Sequence, residues 1–228
     1  MNISLSNIQL GSLFALAAAF LFSSKAIFIK QAYALSPLLD GTTLLALRMA
    51  SALPFFLLLC WWNRQHNRGI QAKDWLLLIL AGLIGYYLSS WLDFIGLMYI
   101  SASLERIILF LYPTLTVIAS SMIYKQRLAL KSIFAIALSY GGTVIVMLQE
   151  QSNMPHEGDF WLGVSFVFAS AVSFACYLLL TPRLIQRFGS WNFTGLALTV
   201  ACIGTLTHYV IATPDPIGLI TQLPSSVI

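Results

Sequence analysis

Lys25, Arg48, Asp93 and the adjacent Glu105 and Arg106 lie inside or at the edge of long apolar runs. In lipid an ionisable side chain costs roughly 2.5–3.5 kcal/mol on insertion scales, so each is expected to pair, to face water or to serve a function. The set holds three cations and two anions, and pairing can neutralise most of the charge. Consecutive residues on a helix point about 100° apart, so Glu105 and Arg106 are not expected to pair with each other. Asp93 is expected to pair with Arg48 or Lys25. Two compatible readings follow: an ion-pair network that holds four helices in register, and a polar cavity opening outward.

Helical spacing extends the polar surface. Tyr86, Ser89, Ser90 and Asp93 share one face of a helix, and Glu105, Tyr112 and Thr116 one face of the next. Polar stripes in lipid turn toward protein or water. Pro113, directly after Tyr112, frees a carbonyl and is expected to kink its helix, and kinked helices often mark binding sites. His208, beside Tyr209, reads as a hydrogen-bonded residue near a span end. No GxxxxGK[ST], HExxH or GxSxG sequence occurs, so neither ATP-driven transport nor enzymatic chemistry is indicated, and no catalytic residue, metal ligand or cofactor is assigned. Cys60, Cys176 and Cys202 form no CxxC or Cys/His cluster and read as small hydrophobes.

The elements that must carry these residues follow from composition. Of 228 residues 59% are apolar and only 9% charged, and the mean hydropathy is +0.84. That leaves too little polar side chain to cover a water-soluble globule. A net charge of +4 without a basic patch excludes a nucleic-acid binder, and the aromatic content excludes disorder. The partner is therefore the lipid bilayer. Seven stretches have the roughly 20 apolar residues that a transmembrane helix needs: 8–30, 42–62, 75–99, 103–123, 131–149, 161–181 and 191–212. The first is read as a true span, because no Lys or Arg precedes Lys25 as a signal peptide requires.

Charge sets an expected orientation. Loops 63–74, 124–131 and 182–190 carry Arg64, Arg68, Lys73, Lys125, Arg127, Lys131, Arg183 and Arg187, and the alternate loops carry Lys30 with Asp40, Glu150, Glu157, Asp159 and Asp215. Basic short loops stay cytoplasmic, which puts the N-terminus inside. All five charged candidates then fall in the outer half of the membrane. Trp61, Trp62, Trp75, Trp161 and Trp191 sit at span ends, where amphipathic rings prefer the headgroups.

An offset of 152 residues lays Leu10-Gly11 on Leu162-Gly163, Phe14 on Phe166, Ala17 on Ala169, Ala19 on Ala171, Phe22 on Phe174, Thr42 on Thr194 and Leu44 on Leu196. Gly11, Ala15, Ala19 and Ser23 put a small residue at every fourth position, which permits close helix packing; Ser165, Ala169 and Ser173 form a shorter stripe. A five-span unit is odd, so its second copy is inverted, as in many secondary transporters with a midplane site. The expected fold is an all-α polytopic membrane protein with inverted five-helix repeats. Residues 1–150 form a complete first repeat and 151–228 an incomplete second one, two helices and a tail.

These residues resemble the EamA domain of the drug/metabolite transporter superfamily. The resemblance is carried by Leu10-Gly11 and the small-residue stripe, by Gly96-Leu97-Met98-Tyr99-Ile100-Ser101-Ala102-Ser103, by Tyr112-Pro113, by Gln126-Arg127-Leu128 and by Gly141-Gly142. Gln126 stands where many members have Glu. The resemblance implies ten helices and secondary transport, typically export of metabolites or drugs across a plasma membrane, here the bacterial inner membrane. Substrate-binding or coupling candidates are Lys25, Arg48, Tyr86, Asp93, Glu105, Arg106, Tyr112 and Pro113. Ile228 aligns with Leu76, the start of the third span, so three further helices are expected, supplied by a missing C-terminal fragment or replaced by homodimer contacts. The competing readings are a seven-span receptor and a non-transporting membrane partner subunit. A retinal protein is disfavoured because the seventh span has no lysine for a Schiff base.

Overall fold

A chain in lipid must satisfy its backbone polar groups internally, and helices do so. The computed structural model describes residues 7–36, 39–63, 70–125, 129–152 and 157–223. Arg64, Arg68, Gln126, Arg127, Leu128, Pro224 and the side chain of Glu157 lie outside the described residues. In chain order the elements are α1 (Asn7–Leu35), α2 (Gly41–Asn63), α3 (Ala72–Ala81), a π-helical segment (Gly82–Leu88), α4 (Ser89–Tyr99), α5 (Ala102–Leu109), α6 (Tyr112–Tyr124), α7 (Leu130–Gln151), α8 (Glu157–Phe188), α9 (Ser190–Ala212) and α10 (Pro216–Gln222). The described residues contain seven helical runs long and apolar enough to cross a membrane, one for each expected span, which makes this an integral membrane protein.

Local chemistry sets the ends and breaks. Asp40 Oδ1 accepts a 2.8 Å hydrogen bond from Thr43 N at the start of α2, and Ser101 Oγ accepts one from Leu104 N at 3.1 Å to cap α5. The third span is one rod, in which α3 runs through the wide π turns into α4. The fourth is broken: Pro113 has no N–H for the Leu109 carbonyl, and the helix stops at Phe110 and restarts at Tyr112.

Three loop expectations are corrected. α1 continues to Leu35, which makes Lys30 a helical residue. The segment expected as loop 182–190 is helical through Arg183 and Arg187 to Phe188, despite Pro182. Leu184 and Phe188, four residues apart and both buried, pack with Leu78 and Phe193 and hold that last turn, and Gly189 ends it at a φ of 76°. The tail contains α10: Asp215 accepts from Gly218 N at 2.9 Å and Pro216 takes the first helical position.

The core has three apolar clusters. Leu104 and Ile108 of α5 meet Phe160, Val164 and Val167 of α8. Ala26 and Ile29 of α1 meet Leu45 and Met49 of α2, Phe94 and Leu97 of α4 and Cys202 of α9. Leu78 of α3 meets Tyr177 and Leu184 of α8 and Ala197 of α9. The α3–π–α4 rod is thus embraced by α2, α8 and α9. The small-residue stripe of α1 does not work as expected: Gly11, Ala15, Ala19 and Ser23 are all exposed. Close approach falls instead to Gly96 of α4 and Gly163 of α8. A Cβ on Gly96 would stand 2.5 Å from Val167 Cγ2, and one on Gly163 2.6 Å from Tyr99 Cβ.

Candidate functional site

The charged residues converge where α1, α2, α4 and α5 meet. The buried Asp93 forms an ion pair with Lys25 through Oδ2. Tyr33 OH donates to the carbonyl of Phe94 at 2.8 Å, which ties α1 to α4 one residue further along. Glu105 is fully buried, and its carboxyl lies beside that of Asp93. Arg106 Nε is 2.9 Å from Glu105 Oε2. This corrects the expectation that these neighbours do not pair. Their Cβ atoms do diverge, but the long arginine side chain curls back. The contact is Coulombic, since its angle gives no hydrogen bond, and Arg106 Nε, Nη1 and Nη2 have no acceptor among the described residues.

Two phenylalanine rings floor the cluster. The Lys25 ammonium is 5.4 Å from the Phe22 ring centre and 5.7 Å from that of Phe94. The Arg106 guanidinium is 4.6 Å from Phe22, and that of Arg48 is 5.7 Å from Phe94. Cation–π attraction of this kind strengthens when the groups are desolvated. Arg48 forms no ion pair among the described residues, although Asp93 and Arg106 act on it at longer range.

The cluster opens into a cavity of about 410 Å³, a volume within the usual range for small-molecule sites. Lys25, Arg48 and Asp93 form its charged wall, and the expected stripe of Tyr86, Ser89, Ser90 and Asp93 lines it in full. From the fourth span, Leu109 and Tyr112 reach the cavity. The break at Phe110 interrupts the helical period, so Glu105 no longer shares a face with Tyr112; Thr116, one turn after Tyr112 on α6, keeps that face and its Oγ1 donates to the Tyr112 carbonyl at 2.8 Å. Pro113 is exposed on α6 and acts through the break that turns Tyr112 inward.

The sequence reading missed the opposite wall. Ser170 and Phe174 of α8 line the cavity, and Tyr177 OH lies 2.9 Å from Tyr86 OH. Ser170, Phe174 and Tyr177 recur every three or four residues, a helical stripe that was available as a signal. Ser170 Oγ donates to the Ser89 carbonyl at 2.8 Å, and Ser173 Oγ donates to the Ile84 carbonyl in the π segment at 2.7 Å. These bonds satisfy backbone groups at the wide turn, a known habit of small hydroxyl residues in membranes. Away from the cavity, Tyr87 OH is 3.0 Å from His208 Nδ1, and the edge of Trp91 meets the same imidazole.

The sequence profile of the EamA-like transporter family matches residues 9–148. The uncharacterized transporter YcbK of Bacillus subtilis (strain 168) is 28% identical over 199 residues, which cover 84% of this chain and 60% of that protein. The chain therefore spans about three-fifths of the length of this relative. No solved structure matches it.

Proposed function

This chain belongs to the EamA-like transporter family, and on that premise we propose that it serves as a secondary transporter, working as an exporter of small metabolites or drugs. The observation that carries this reading is the cavity of about 410 Å³ with a charged wall and an aromatic wall, set inside a bundle of apolar helices. Buried ionisable groups in such a bundle are costly, and a solute path is the common reason to keep them. The name of the Bacillus relative, a transporter, supports the same reading. The Lys/Arg distribution supports an inner-membrane protein with a cytoplasmic N-terminus.

The packing of α2 against α9 supports the repeat architecture, because the 152-residue offset pairs these two helices. We read residues 1–150 as one five-helix unit and 151–228 as the first part of a second. Flux through proteoliposomes, followed with a broad panel of radiolabelled metabolites, tests the function. Saturable efflux of at least one solute is expected, and it should fall in Asp93→Asn. Vesicles as tight as protein-free ones to every solute would overturn the reading in favour of a partner subunit.

A further inference from the structure

The charge balance of the cluster at the cavity points to the solute. Three cations, Lys25, Arg48 and Arg106, stand with two carboxylates, Asp93 and Glu105, and of these Lys25, Arg48 and Asp93 line the cavity. Lys25 is matched by Asp93 and Arg106 by Glu105. Among the described residues Arg48 is left over, and it stands exposed at the junction of the central cavity with a second one of about 360 Å³ lined by Phe28, Ile29 and Leu47. α2 itself carries no carboxylate, and that of Asp40, which precedes it, is exposed and engaged in capping the helix. Beyond it, the Lys30 charge acts on Glu150, so that pair adds no further anion.

A guanidinium over an aromatic ring still presents a planar fork of N–H donors that fits an oxyanion bidentately. Across the cavity, Tyr86, Tyr112 and Phe174 offer an apolar, aromatic wall. An amine would meet a surplus of positive charge, since Lys25 and Arg48 outnumber Asp93 on the wall, and like charges repel. We propose that the cavity takes solutes bearing one carboxylate on an apolar or aromatic body, and that Arg48 holds that carboxylate. This rests on the transport reading of the cavity and adds the class of solute.

Three isosteric probes test it: 4-phenylbutyrate, 4-phenylbutanamide and 4-phenylbutylamine, added to the purified full chain in a neutral detergent while thermal unfolding is followed. The carboxylate alone is expected to raise the midpoint. Arg48→Gln should weaken 4-phenylbutyrate binding at least tenfold, and Arg48→Lys, which keeps the charge but not the fork, should weaken it less. Arg183→Gln, a change at the far end of α8, should leave it unchanged. Equal stabilisation by the amide or the amine, or no response to 4-phenylbutyrate, overturns the proposal. So does undiminished binding by Arg48→Gln. If that variant fails to fold, the probe series on the unaltered chain still decides.

A lipid headgroup carries the same oxyanion chemistry. Nanodiscs of phosphatidylcholine with and without phosphatidylglycerol separate the two sources. Loss of 4-phenylbutyrate binding when phosphatidylglycerol is present assigns Arg48 to lipid and ends the proposal. Flux of cations alone would sink this inference and leave the transport reading standing. Carboxylate-selective binding without flux of any solute would do the reverse.

Discussion

Gly96 and Gly163 face each other across the crossing of α4 and α8, and a Cβ on either would press on the other's carbonyl oxygen as well as on Val167 or Tyr99. The two virtual Cβ atoms would stand 3.1 Å and 3.2 Å from the opposing carbonyl oxygens. Membrane helices associate largely through such close packing. Gly163→Val should force the helices apart and cost about 1–3 kcal/mol, as overpacking does. Gly142, with open space around it, provides the comparison: Gly142→Ala should be neutral within about 0.5 kcal/mol. Thermal unfolding in detergent measures both, and equal effects would refute the crossing.

The Lys25–Asp93 pair predicts a thermodynamic cycle. Asp93→Asn strands a cation that is only 15% exposed, and breaking a buried pair costs about 3–5 kcal/mol. Lys25→Met alone should be similarly harmful, because it strands Asp93 beside Glu105. The double variant should recover at least half of the loss. Additive losses would show that the two do not interact.

Tyr86 and Tyr177 predict an asymmetry. Each phenol has the other as a hydrogen-bond partner. Tyr86→Phe should cost about 0.5–1.5 kcal/mol. The Tyr86→Phe, Tyr177→Phe double variant should cost little more, since it leaves no orphaned hydroxyl. Chemical unfolding of the three variants reads the difference.

Orientation is tested on chemistry alone. With Cys60, Cys176 and Cys202 replaced, a single cysteine at Asn67 should resist an impermeant maleimide added to intact cells, and one at Asp159 should react. The basis is the Lys/Arg bias of the short loops. Reaction at position 67 from outside would invert the topology.

The spans were legible because a lipid-facing helix needs one property, sustained apolarity, and the sequence displays it. The stripe from Tyr86 to Asp93 was legible for a similar reason, since helical period alone sets it. What stayed hidden depends on partners far apart in sequence. The spacing of Ser170, Phe174 and Tyr177 marks a stripe, but what that stripe faces is settled only where α8 is laid against the π segment. The Glu105–Arg106 contact was misjudged because periodicity describes Cβ directions and says nothing of where a guanidinium four bonds further out can reach. The stripe from Gly11 to Ser23 was misjudged because small residues permit close packing without requiring it.

The 68 residues that separate Lys25 from Asp93 also set an order of events during synthesis. The ribosome adds about 5–20 residues per second, so α1 enters the membrane roughly 3–14 s before its counter-ion exists. Through that interval the lysine lacks the carboxylate it pairs with in the folded chain, and its long aliphatic stem lets the ammonium reach toward the headgroups. Glu105 and Arg106 leave the ribosome together and need no such wait. Assembly of the charged wall is therefore staged: the adjacent pair is born neutral, while the α1 cation must be recruited from the membrane surface once α4 has followed it in.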